Sequence, residues 1–531
     1  MRGARRDYDC VMPYDPPPHL TQHWTVSKPA ASGRRGMVVS QSRDAALAGV
    51  SVLDAGGNAV DAAVATALAL AAMEPWNSGL GGIGFALVHR AGQSRAEVVD
   101  FGPRAPGRLD PAAYRLTGKV AADLFGWPEV EGDANVHGPL SFAIPSAPAG
   151  YALMHERWGT LPLAEVIAPA QALARRGLPQ DWFTTLKVSN QAAILRRYPE
   201  SARIYLPNGL PPVPPYQGNP GAFRLGNLPD TLDRLATAGW RDFYEGEIAA
   251  SLVADVAAMG GVLDSDDLRG CQARVTAPQE VAFAGRVLQL AGGLTASPTM
   301  ARVIERLPPF AGDRPDAAWF GALAAALKAA YAERLEGLGD AEPVAAESCT
   351  THLTVCDAEG TMVAMTTTLL SSMGSRVVLP GSGVLMNNGI MWFDPRPGRP
   401  NSLAPGKRPL TNMLPAILRD GDRPVLAAGA SGGRRILAAV TQMLSFVAGF
   451  GMDPATAAHH PRIDVSDPEG VDADMRLPAD VIAALGGSVD LVEHSVLPVN
   501  FACPNLILIE DGVRTGISDV LSPWSAAVAQ G

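Results

Sequence analysis

Residues 349–370 constrain the fold more than any other stretch, because they predict a two-stranded hairpin. The segment reads CTTHLTVCDAEGTMVAMTTTLL. Residues 351–355 alternate polar and apolar side chains, as a half-buried strand does, and residues 361–369 are rich in β-branched side chains. The intervening residues 357–360 have the composition of a turn. A loop this short joins the two strands as an antiparallel hairpin.

The hairpin predicts a concentration of hydroxyl groups at one end. Counting back from the turn places Thr350 opposite Thr366, Thr367 or Thr368. Threonine favours strands in general, so the cluster is explained either by β-propensity alone or by a reactive site. The local sequence leaves both explanations open.

Size and composition restrict the class of protein. The chain has 531 residues, of which 47% are hydrophobic and 18% charged, so it is globular and holds one to three domains. Its net charge of −10 and the lack of a basic block argue against a nucleic-acid partner. The basic N-terminus is not followed by an apolar stretch, and the longest apolar run, residues 62–73, is too short to span a bilayer. We therefore expect a cytoplasmic protein without a membrane partner.

The cysteines and histidines do not predict a metal site. The five cysteines are scattered and none forms a CxxC pair, so neither zinc nor a disulfide framework is indicated. The adjacent His459 and His460 point to different faces and have no evident third ligand. Residues 264–267, DSDD, lack the spaced ligands of a calcium loop and predict a helix N-cap instead. We expect no metal and no cofactor.

The order of predicted elements mixes helices with hairpins. Residues 1–35 form an N-terminal arm, and Ala-rich helices follow at about 43–55 and 59–73. From about residue 350, strands dominate, at 351–356, 361–369, 376–379, 384–388, 414–418 and 424–429. This pattern predicts sheets covered by helices.

Two glycine-rich motifs differ in the order of the predicted helix and strand on either side of them. GLGGIG at residues 79–84 follows a predicted helix and precedes a predicted strand, the reverse of the order in a dinucleotide site, so it predicts close backbone packing. The sequence Ser431-Gly432-Gly433 lies between a strand and a helix, the right order for an anion cradle. It is either a plain turn or, beside a nucleophile, an oxyanion hole.

The choice of nucleophile depends on how one serine motif is interpreted. GASGG at residues 429–433 fits the GxSxG spacing, but we interpret it as a turn or an anion cradle, which leaves a threonine as the candidate nucleophile. A threonine hydroxyl needs an adjacent base, and one solution makes threonine the first residue, so that its own α-amine is the base. An internal threonine then requires cleavage of the backbone before it.

From about Gly36 to the C-terminus, the sequence resembles the γ-glutamyltranspeptidase family. The motifs that carry the resemblance are GGNAVDAAVATALAL, EPWNSGLGGIGF, DFYEGEIA, GGVLDSDDLRG, CTTHLTVCDAEGTMVAMTTT, GVLMNN, PGKRPLTNMLPAI, ASGGRRI and HHPRI. The resemblance implies a four-layer αββα sandwich of the N-terminal nucleophile type. It also implies self-cleavage into a large subunit, residues 36–349, and a small catalytic subunit, residues 350–531, which remain associated and can form a dimer of heterodimers.

The resemblance also implies roles for individual residues. Cleavage falls between Cys349 and Thr350, and Thr350 is then the nucleophile. Thr368 corresponds to the family's second threonine, which supports that nucleophile, and Gly432 and Gly433 correspond to its oxyanion glycines.

The substrate-binding positions depart from the family pattern. The Asn, Gln and Asp that hold an α-amine are replaced by Leu370, Gly389 and Trp392. An unpartnered buried ammonium is costly, so we expect that α-amine recognition is lost.

The family's carboxylate-binding positions are also altered. Its arginine aligns with Gly102, leaving Arg104 two residues further on, and its Ser-Ser pair becomes Thr411-Asn412. The loop that contains Thr411 and Asn412, residues 406–413, either holds a carboxylate or is a solvated surface segment. The shortness of residues 395–405 predicts that a lid is absent. We expect Arg104, Thr411, Asn412 and Trp392 to contact substrate.

The expected function is cleavage of a γ-glutamyl or related carboxylate-bearing acyl amide through an acyl-enzyme. A glutaryl acylase or an oxamate-type amidohydrolase without α-amine recognition is the alternative within the family. An uncleaved binding protein is the alternative of another class. A nucleotide-dependent enzyme using GLGGIG is a third, for which we expect no NAD or ATP binding.

Overall fold

The computed structural model describes residues 26–120, 127–338, 349–465, 470–497 and 499–531. The strands of these residues are, in chain order, β1 Ala31–Gly33, β2 Met37–Ser40, β3 Ile83–His89, β4 Glu97–Phe101, β5 Leu116–Val120, β6 Pro128–Val130, β7 Leu178–Pro179, β8 Ala222–Phe223, β9 Arg274–Thr276, β10 Gln279–Phe283, β11 Arg286–Leu290, β12 Cys349–Cys356, β13 Met362–Leu370, β14 Ala416–Asp420, β15 Arg423–Ser431, β16 Ile463–Asp464, β17 Gly470–Asp474, β18 Ser488–Val492, β19 Cys503–Glu510, β20 Val513–Ser518 and β21 Ala526–Ala529. The α-helices are α1 Arg43–Asp54, α2 Ala59–Met73, α3 Ala147–Trp158, α4 Leu163–Arg176, α5 Trp182–Ser189, α6 Ala192–Leu195, α7 Pro199–Tyr205, α8 Leu228–Ala238, α9 Asp242–Glu245, α10 Glu247–Ala258, α11 Ser265–Arg269, α12 Ser297–Arg306, α13 Ala317–Leu338, α14 Ile436–Leu444, α15 Pro454–His459 and α16 Ala479–Ala484.

Two seven-stranded antiparallel sheets form the centre of the molecule. One sheet has the order β21-β2-β12-β13-β3-β4-β9, and the other has the order β1-β20-β19-β15-β14-β11-β10. The predicted hairpin, β12 and β13, therefore lies in the middle of its sheet. Every residue of β13 is buried, because helices cover one face of this sheet and the second sheet covers the other.

Three hydrophobic clusters show that the sheets are stacked between two layers of helices. Leu353 and Val355 face one way from β12 and pack in a cluster with α1 and α2. Cys356, on the opposite face, packs in a second cluster with Ile417 and Ile507 of the other sheet. A third cluster joins the outer face of that sheet to α12, α13 and α14. The period-two alternation of side chains along a strand thus produces the αββα sandwich that was predicted.

Polar contacts between the two sheets fix their relative position near the hairpin. Thr354 Oγ1 donates to Asn505 Oδ1 at 2.7 Å, and Asn505 Nδ2 donates to the backbone oxygen of His352 at 2.6 Å. The His352 ring lies over Gly429, where an added Cβ would be only 2.2 Å from the ring. Gly429 therefore permits the sheets to approach closely at this point.

The helix α2 begins with a capping box and is buried on all sides. The Asn58 side chain accepts hydrogen bonds from the backbone of Val60 and Asp61, and the Asp61 carboxylate accepts from the backbone of Asn58. Its sequence is apolar around its whole circumference, as expected of a helix with protein on every side. The helix ends at Met73, which places Glu74 beneath the hairpin.

Most of the predicted elements are confirmed. The helices predicted at 43–55 and 59–73 are α1 and α2, and the Asp264 side chain caps α11 as predicted. GLGGIG lies between α2 and β3, and an added Cβ at Gly82 would be 2.9 Å from the Thr368 backbone oxygen, so its role in close packing is confirmed.

Two predicted strands, 376–379 and 384–388, are wrong. This part of the chain forms turns joined by an isolated bridge between Val378 and Leu385. Arg376 has a φ of 64°, which is incompatible with a strand, and its guanidinium donates to the Gly374 backbone oxygen at 2.6 Å. The β-branched side chains are buried here without forming a ladder.

The predicted arm, residues 1–35, is divided by the structure. Residues 1–25 lie outside the described residues. Residues 31–33 form β1 and pair with β20, so this part of the arm belongs to the sheet. Lys28 Nζ donates to the backbone oxygens of Asp519 and Ser522 at 2.9 and 2.6 Å.

Two kinds of feature are absent from the described residues, a membrane-spanning helix and a metal-binding cluster. No described helix combines the length and the apolar character needed to cross a bilayer. No group of three or more His, Cys, Asp or Glu side chains within the described ranges is arranged to hold a metal ion.

Candidate active site

The hairpin register brings Thr350 to Thr368. Thr351 pairs with Thr367 and Cys349 with Leu370, and a bulge between Cys349 and Thr351 accommodates the additional residue. The Thr350 hydroxyl donates to Thr368 Oγ1 at 3.2 Å, and both residues are buried. The structure therefore brings together the two threonines that the sequence analysis paired.

The predicted oxyanion glycines lie at the end of β15, beside the same threonine. Gly432 and Thr350 line one cavity. Gly432 has a φ of 136° and Gly433 a φ of 58°, so both positions favour glycine. The chain then enters α14, whose first turn orients backbone N–H groups away from the helix. This geometry can place donors near a carbonyl oxygen attacked by Thr350.

A buried polar network supports β12, the strand of Thr350, from the side of the helices. Thr351 Oγ1 lies 2.9 Å from Gln41 Oε1 and also within hydrogen-bonding distance of the Glu74 carboxyl, so its single proton is shared between these two contacts. Asn77 Nδ2 donates to the second Glu74 oxygen at 2.7 Å, and Gln41 Nε2 donates to Ser431 Oγ at 2.6 Å. The network thus connects β12, the strand of Thr350, to the end of β15, where the predicted oxyanion glycines begin.

Sequence reasoning missed this network. Glu74 and Asn77 lie in EPWNSGLGGIGF, which was used only as evidence of family resemblance. The signal that could have found Glu74 is an acidic residue directly after a fully apolar helix, because such a carboxyl needs partners when it is buried.

The two ionisable groups nearest this strand have strongly shifted pKa values. Burial raises the pKa of the Glu74 carboxyl to about 7, although hydrogen bonds from Thr351 and Asn77 and the nearby Lys187 oppose the rise. Burial lowers the pKa of His352 to about 3, so its imidazole is neutral. Its two ring nitrogens contact Thr366 Oγ1 at 2.8 Å and Thr354 Oγ1 at 3.2 Å, which makes it part of the sheet packing.

We predict that Glu74 makes the folded protein less stable as pH rises. The folded pKa of about 7 lies above the ordinary value of 4.5, so the folded state holds its proton more tightly than the unfolded state. Stability from this group is therefore complete below pH 4.5 and falls through pH 7, by up to about 3 kcal/mol. Glu74→Gln keeps one acceptor and one donor but does not ionise.

The measurement is the thermal unfolding midpoint of wild type and Glu74→Gln at pH 5 and pH 8. We expect the variant to gain stability relative to wild type at pH 8. Glu359→Gln, at an exposed position, is the matched control and should show no such pH-dependent gain. An equal difference between Glu74→Gln and wild type at both pH values would contradict the prediction.

The position of the lost α-amine partners is filled by apolar side chains. Leu370 and Trp392 are buried in one hydrophobic cluster with Met391 and Met413. Trp392 Nε1 has no hydrogen-bond partner among the described residues. An added Cβ at Gly389 would lie 2.7 Å from the Ala143 Cβ, so this position also lacks room for a polar side chain. The arrangement offers an ammonium group no anionic partner here.

Thr411 and Asn412 are held by Arg334, near the end of α13. Thr411 donates its hydroxyl to the Leu294 backbone oxygen at 3.1 Å. Arg334 donates to the Thr411 backbone oxygen at 2.7 Å and to Asn412 Oδ1 at 3.4 Å. Asn412 Nδ2 is buried and has no partner within the described ranges. Asn412 is therefore the member of this pair with a donor to offer.

Arg104 is exposed and does not line the cavity at Thr350. Burial raises the pKa of the Cys271 thiol to about 11, and the nearby Arg104 guanidinium opposes that rise, which places Arg104 close to Cys271. The cation beside Gly102 is instead Arg408, whose Nη2 would be 2.6 Å from an added Cβ at Gly102. Arg408 Nη1 donates to Asp100 Oδ2 at 2.8 Å.

Two stacked antiparallel sheets between helices, with a supported threonine at the start of a central strand, define a hydrolase of the N-terminal nucleophile class. The crystal structure of cephalosporin acylase from Bacillus halodurans has the same fold. Its TM-score is 0.82 at 23% identity, over 98% of this chain and 99% of that one.

The chain belongs to the γ-glutamyltranspeptidase family, whose model matches residues 45–349 and 343–519. It is 32% identical over 482 residues to the acylase ACY 1 proenzyme of Pseudomonas sp. (strain V22), covering 83% of this chain and 84% of that protein. It is 28% identical over 549 residues to the glutathione hydrolase proenzyme of Bacillus subtilis (strain 168), covering 92% and 90%. The predicted family and fold are confirmed, and the chain is an enzyme of this kind.

Proposed function

We propose that this chain is a self-processing amide hydrolase in which Thr350 attacks the scissile carbonyl. The observation that carries the proposal is the hydrogen bond of 3.2 Å between the Thr350 and Thr368 hydroxyls, at a cavity that Gly432 also lines. The same atoms support two reactions in sequence: first maturation, then turnover.

In maturation, the Thr350 oxygen adds to the carbonyl carbon of Cys349 and the C–N bond breaks. The hydroxyl proton passes to the peptide nitrogen, which leaves as the free amine of Thr350. Water then hydrolyses the ester and releases the Cys349 carboxylate. In turnover, the freed α-amine, with an ordinary pKa of roughly 7.7–8.0, removes the hydroxyl proton as Thr350 attacks an amide. The proton passes to the leaving amine, and water hydrolyses the acyl-enzyme. The N–H groups of Gly432 and Gly433 stabilise the oxyanion in both reactions.

Cleavage would divide one fold between two chains. Residues 36–349 form the large subunit and residues 350–531 the small subunit. In the central sheet β2 pairs with β12 and β3 with β13, so the small-subunit pair β12 and β13 lies between strands of the large subunit. This interleaving supports continued association of the subunits after cleavage. A dimer of such heterodimers stays a prediction.

For the substrate, we propose an acyl amide that carries a carboxylate but needs no α-amine. The apolar packing of Leu370 and Trp392 supports this choice, because it leaves no partner for an ammonium. The similarity to the acylase ACY 1 proenzyme also supports it. γ-Glutamyl transfer or hydrolysis is the second candidate, which the similarity to the glutathione hydrolase proenzyme favours. Direct substrate contact by Arg104, Thr411, Asn412 or Trp392 stays a prediction.

The test combines intact-mass measurement with two chromogenic substrates. We expect purified wild type to consist of two polypeptides that separate only under denaturing conditions. We also expect glutaryl-p-nitroanilide to have a kcat/KM at least about tenfold above that of γ-glutamyl-p-nitroanilide, since an unpaired buried ammonium costs more than 1.4 kcal/mol. Faster turnover of the γ-glutamyl compound would favour the second candidate. A single uncut chain without turnover would favour a binding protein.

A further inference from the structure

A cavity of about 290 Å³ is lined by Thr350 but not by Trp392. Along the central sheet, β12 lies between β2 and β13. Trp392 packs with Leu370 at the end of β13, whereas the cavity is bordered by Gln41, directly after β2, and by Cys503, at the start of β19. Helix α5 forms its outer wall. The cavity is thus separate from the positions that the sequence analysis assigned to substrate.

The acidic groups of this cavity already have partners. The Glu74 carboxyl accepts hydrogen bonds from Thr351 and Asn77. Asp519 Oδ2 accepts from Arg462 Nη2 at 2.9 Å, in an ion pair whose two side chains are both almost fully buried. Neither carboxyl therefore needs an additional cation.

The basic side chains of the cavity are less fully paired with acidic side chains than the acidic ones are with their partners. Arg435 donates from Nη1 to the backbone oxygen of Val499 at 2.7 Å, a neutral acceptor. Lys187 forms no hydrogen bond or salt bridge within the described residues, and its ammonium lies 5.2 Å from the centre of the Phe183 ring. Lys187 acts electrostatically on the nearby Glu74 carboxyl but forms no salt bridge with it within the described residues, and Arg435 has no carboxylate partner there. The two cations that line this cavity therefore provide a positive site beside Thr350.

Apolar side chains provide the remainder of the wall. Phe183 and Leu186 come from α5, and Val496 and Leu497 come from the loop before β19. Leu497 is 48% exposed, so part of its side chain is open to contact with a ligand. A ligand that fits this surface has a short apolar body and one anionic end.

We propose that this cavity binds the carboxylate of the amide substrate through Lys187 and Arg435. The inference rests on the proposed function and adds to it the place where the charge is recognised. The carboxylate belongs either to the acyl half or to the amine half of the amide, because both halves extend from the carbonyl carbon that Thr350 attacks. The chemistry of recognition is the same in the two cases, and substrates with the charge in different halves distinguish them.

The experiment compares Lys187→Met with Lys187→Arg on three anilides. Glutaryl-p-nitroanilide carries the charge in the acyl half, and pentanoyl-3-carboxy-4-nitroanilide carries it in the amine half. Pentanoyl-p-nitroanilide has the same chain length and no charge. Methionine keeps an unbranched side chain against Phe183 and removes the ammonium, whereas arginine restores a cation. Lys119→Met, at an exposed position on β5, is the matched control.

We expect Lys187→Met to lower kcat/KM at least tenfold on one of the two charged anilides, mainly through KM, and less than twofold on the uncharged one. Lys187→Arg should recover most of the loss, and Lys119→Met should behave as wild type. The charged anilide whose kcat/KM falls in Lys187→Met identifies the half of the substrate that binds in the cavity. Inhibition by the corresponding product, glutarate or 3-carboxy-4-nitroaniline, should weaken in parallel.

Two results separate failure of this inference from failure of the proposed function. If wild type is cleaved and turns over the anilides, but Lys187→Met affects charged and uncharged substrates equally, the cavity does not recognise the carboxylate and only this inference fails. If wild type stays uncut and turns over none of the three, the proposed function fails as well.

Discussion

Thr350→Ala is expected to remain a single polypeptide under denaturing conditions and to lose all measurable amidase activity. Wild type should instead separate into chains of about two-thirds and one-third of the sequence, since the proposed cleavage follows residue 349 of 531. The substitution removes the attacking oxygen of both reactions, so we expect turnover to fall at least about a thousandfold. Alanine is smaller than threonine and leaves β12 intact, so the fold should survive.

Thr350→Ser is the matched control, because it keeps the hydroxyl and removes only the methyl group. We expect it to be cleaved more slowly than wild type and to retain part of the activity. Intact-mass measurement over several days gives both rates of maturation. Complete cleavage of Thr350→Ala at the same position would show that another group cuts the chain, and the assignment of Thr350 as the maturation nucleophile would be abandoned.

The local sequence was sufficient to predict the hairpin that contains Thr350. Side chains on a strand alternate with a period of two, so the turn at residues 357–360 fixes which residues face each other. Thr350 and Thr368 came within the predicted range because only a few residues separate each from the turn. The bulge beside Thr350 shifts the register by one residue, which the alternation pattern does not encode.

Contacts between distant segments could not be predicted in the same way. Thr351 reaches Glu74 across 277 positions of sequence, and no local pattern connects the two. The cations of the cavity, Lys187 and Arg435, come from different layers of the sandwich. Lys187 lies on one face of a helix, and Arg435 comes shortly after Gly433. In the sequence both look like ordinary solvated positions, and only the fold brings them together.

Arg104 shows the limit of transferring a role by position. Two residues separate it from Gly102, and the structure turns its side chain to the surface near Cys271. The space beside Gly102 is occupied by Arg408, which is already paired with Asp100. Which cation meets a ligand thus depends on side-chain direction, and sequence spacing alone does not give that direction.

Gly432→Ala is expected to reduce kcat about a hundredfold or more, with a smaller change in KM, because it displaces an oxyanion donor. The backbone at Gly432 has a φ of 136° and a ψ of 22°, a conformation that a side chain strongly disfavours. An added Cβ would also lie 2.7 Å from the Ala502 Cβ and 2.8 Å from its Cα. Since backbone atoms of Ala502 cannot move aside easily, the peptide at Gly432 must rotate.

The same donor acts in maturation, so self-cleavage of Gly432→Ala should slow together with turnover. Gly451→Ala is the matched control: its φ is 70°, and an added Cβ would meet no heavy atom within 4 Å. It introduces positive-φ strain away from Thr350, without the steric contact that an added Cβ meets at Gly432, so we expect a lower thermal midpoint with normal kcat. Comparison of kcat, cleavage rate and thermal midpoint in the two variants distinguishes an effect of backbone strain from the loss of an oxyanion donor. If both variants lost stability and neither lost kcat, Gly432 would be a turn residue and the oxyanion would have to be stabilised by other donors.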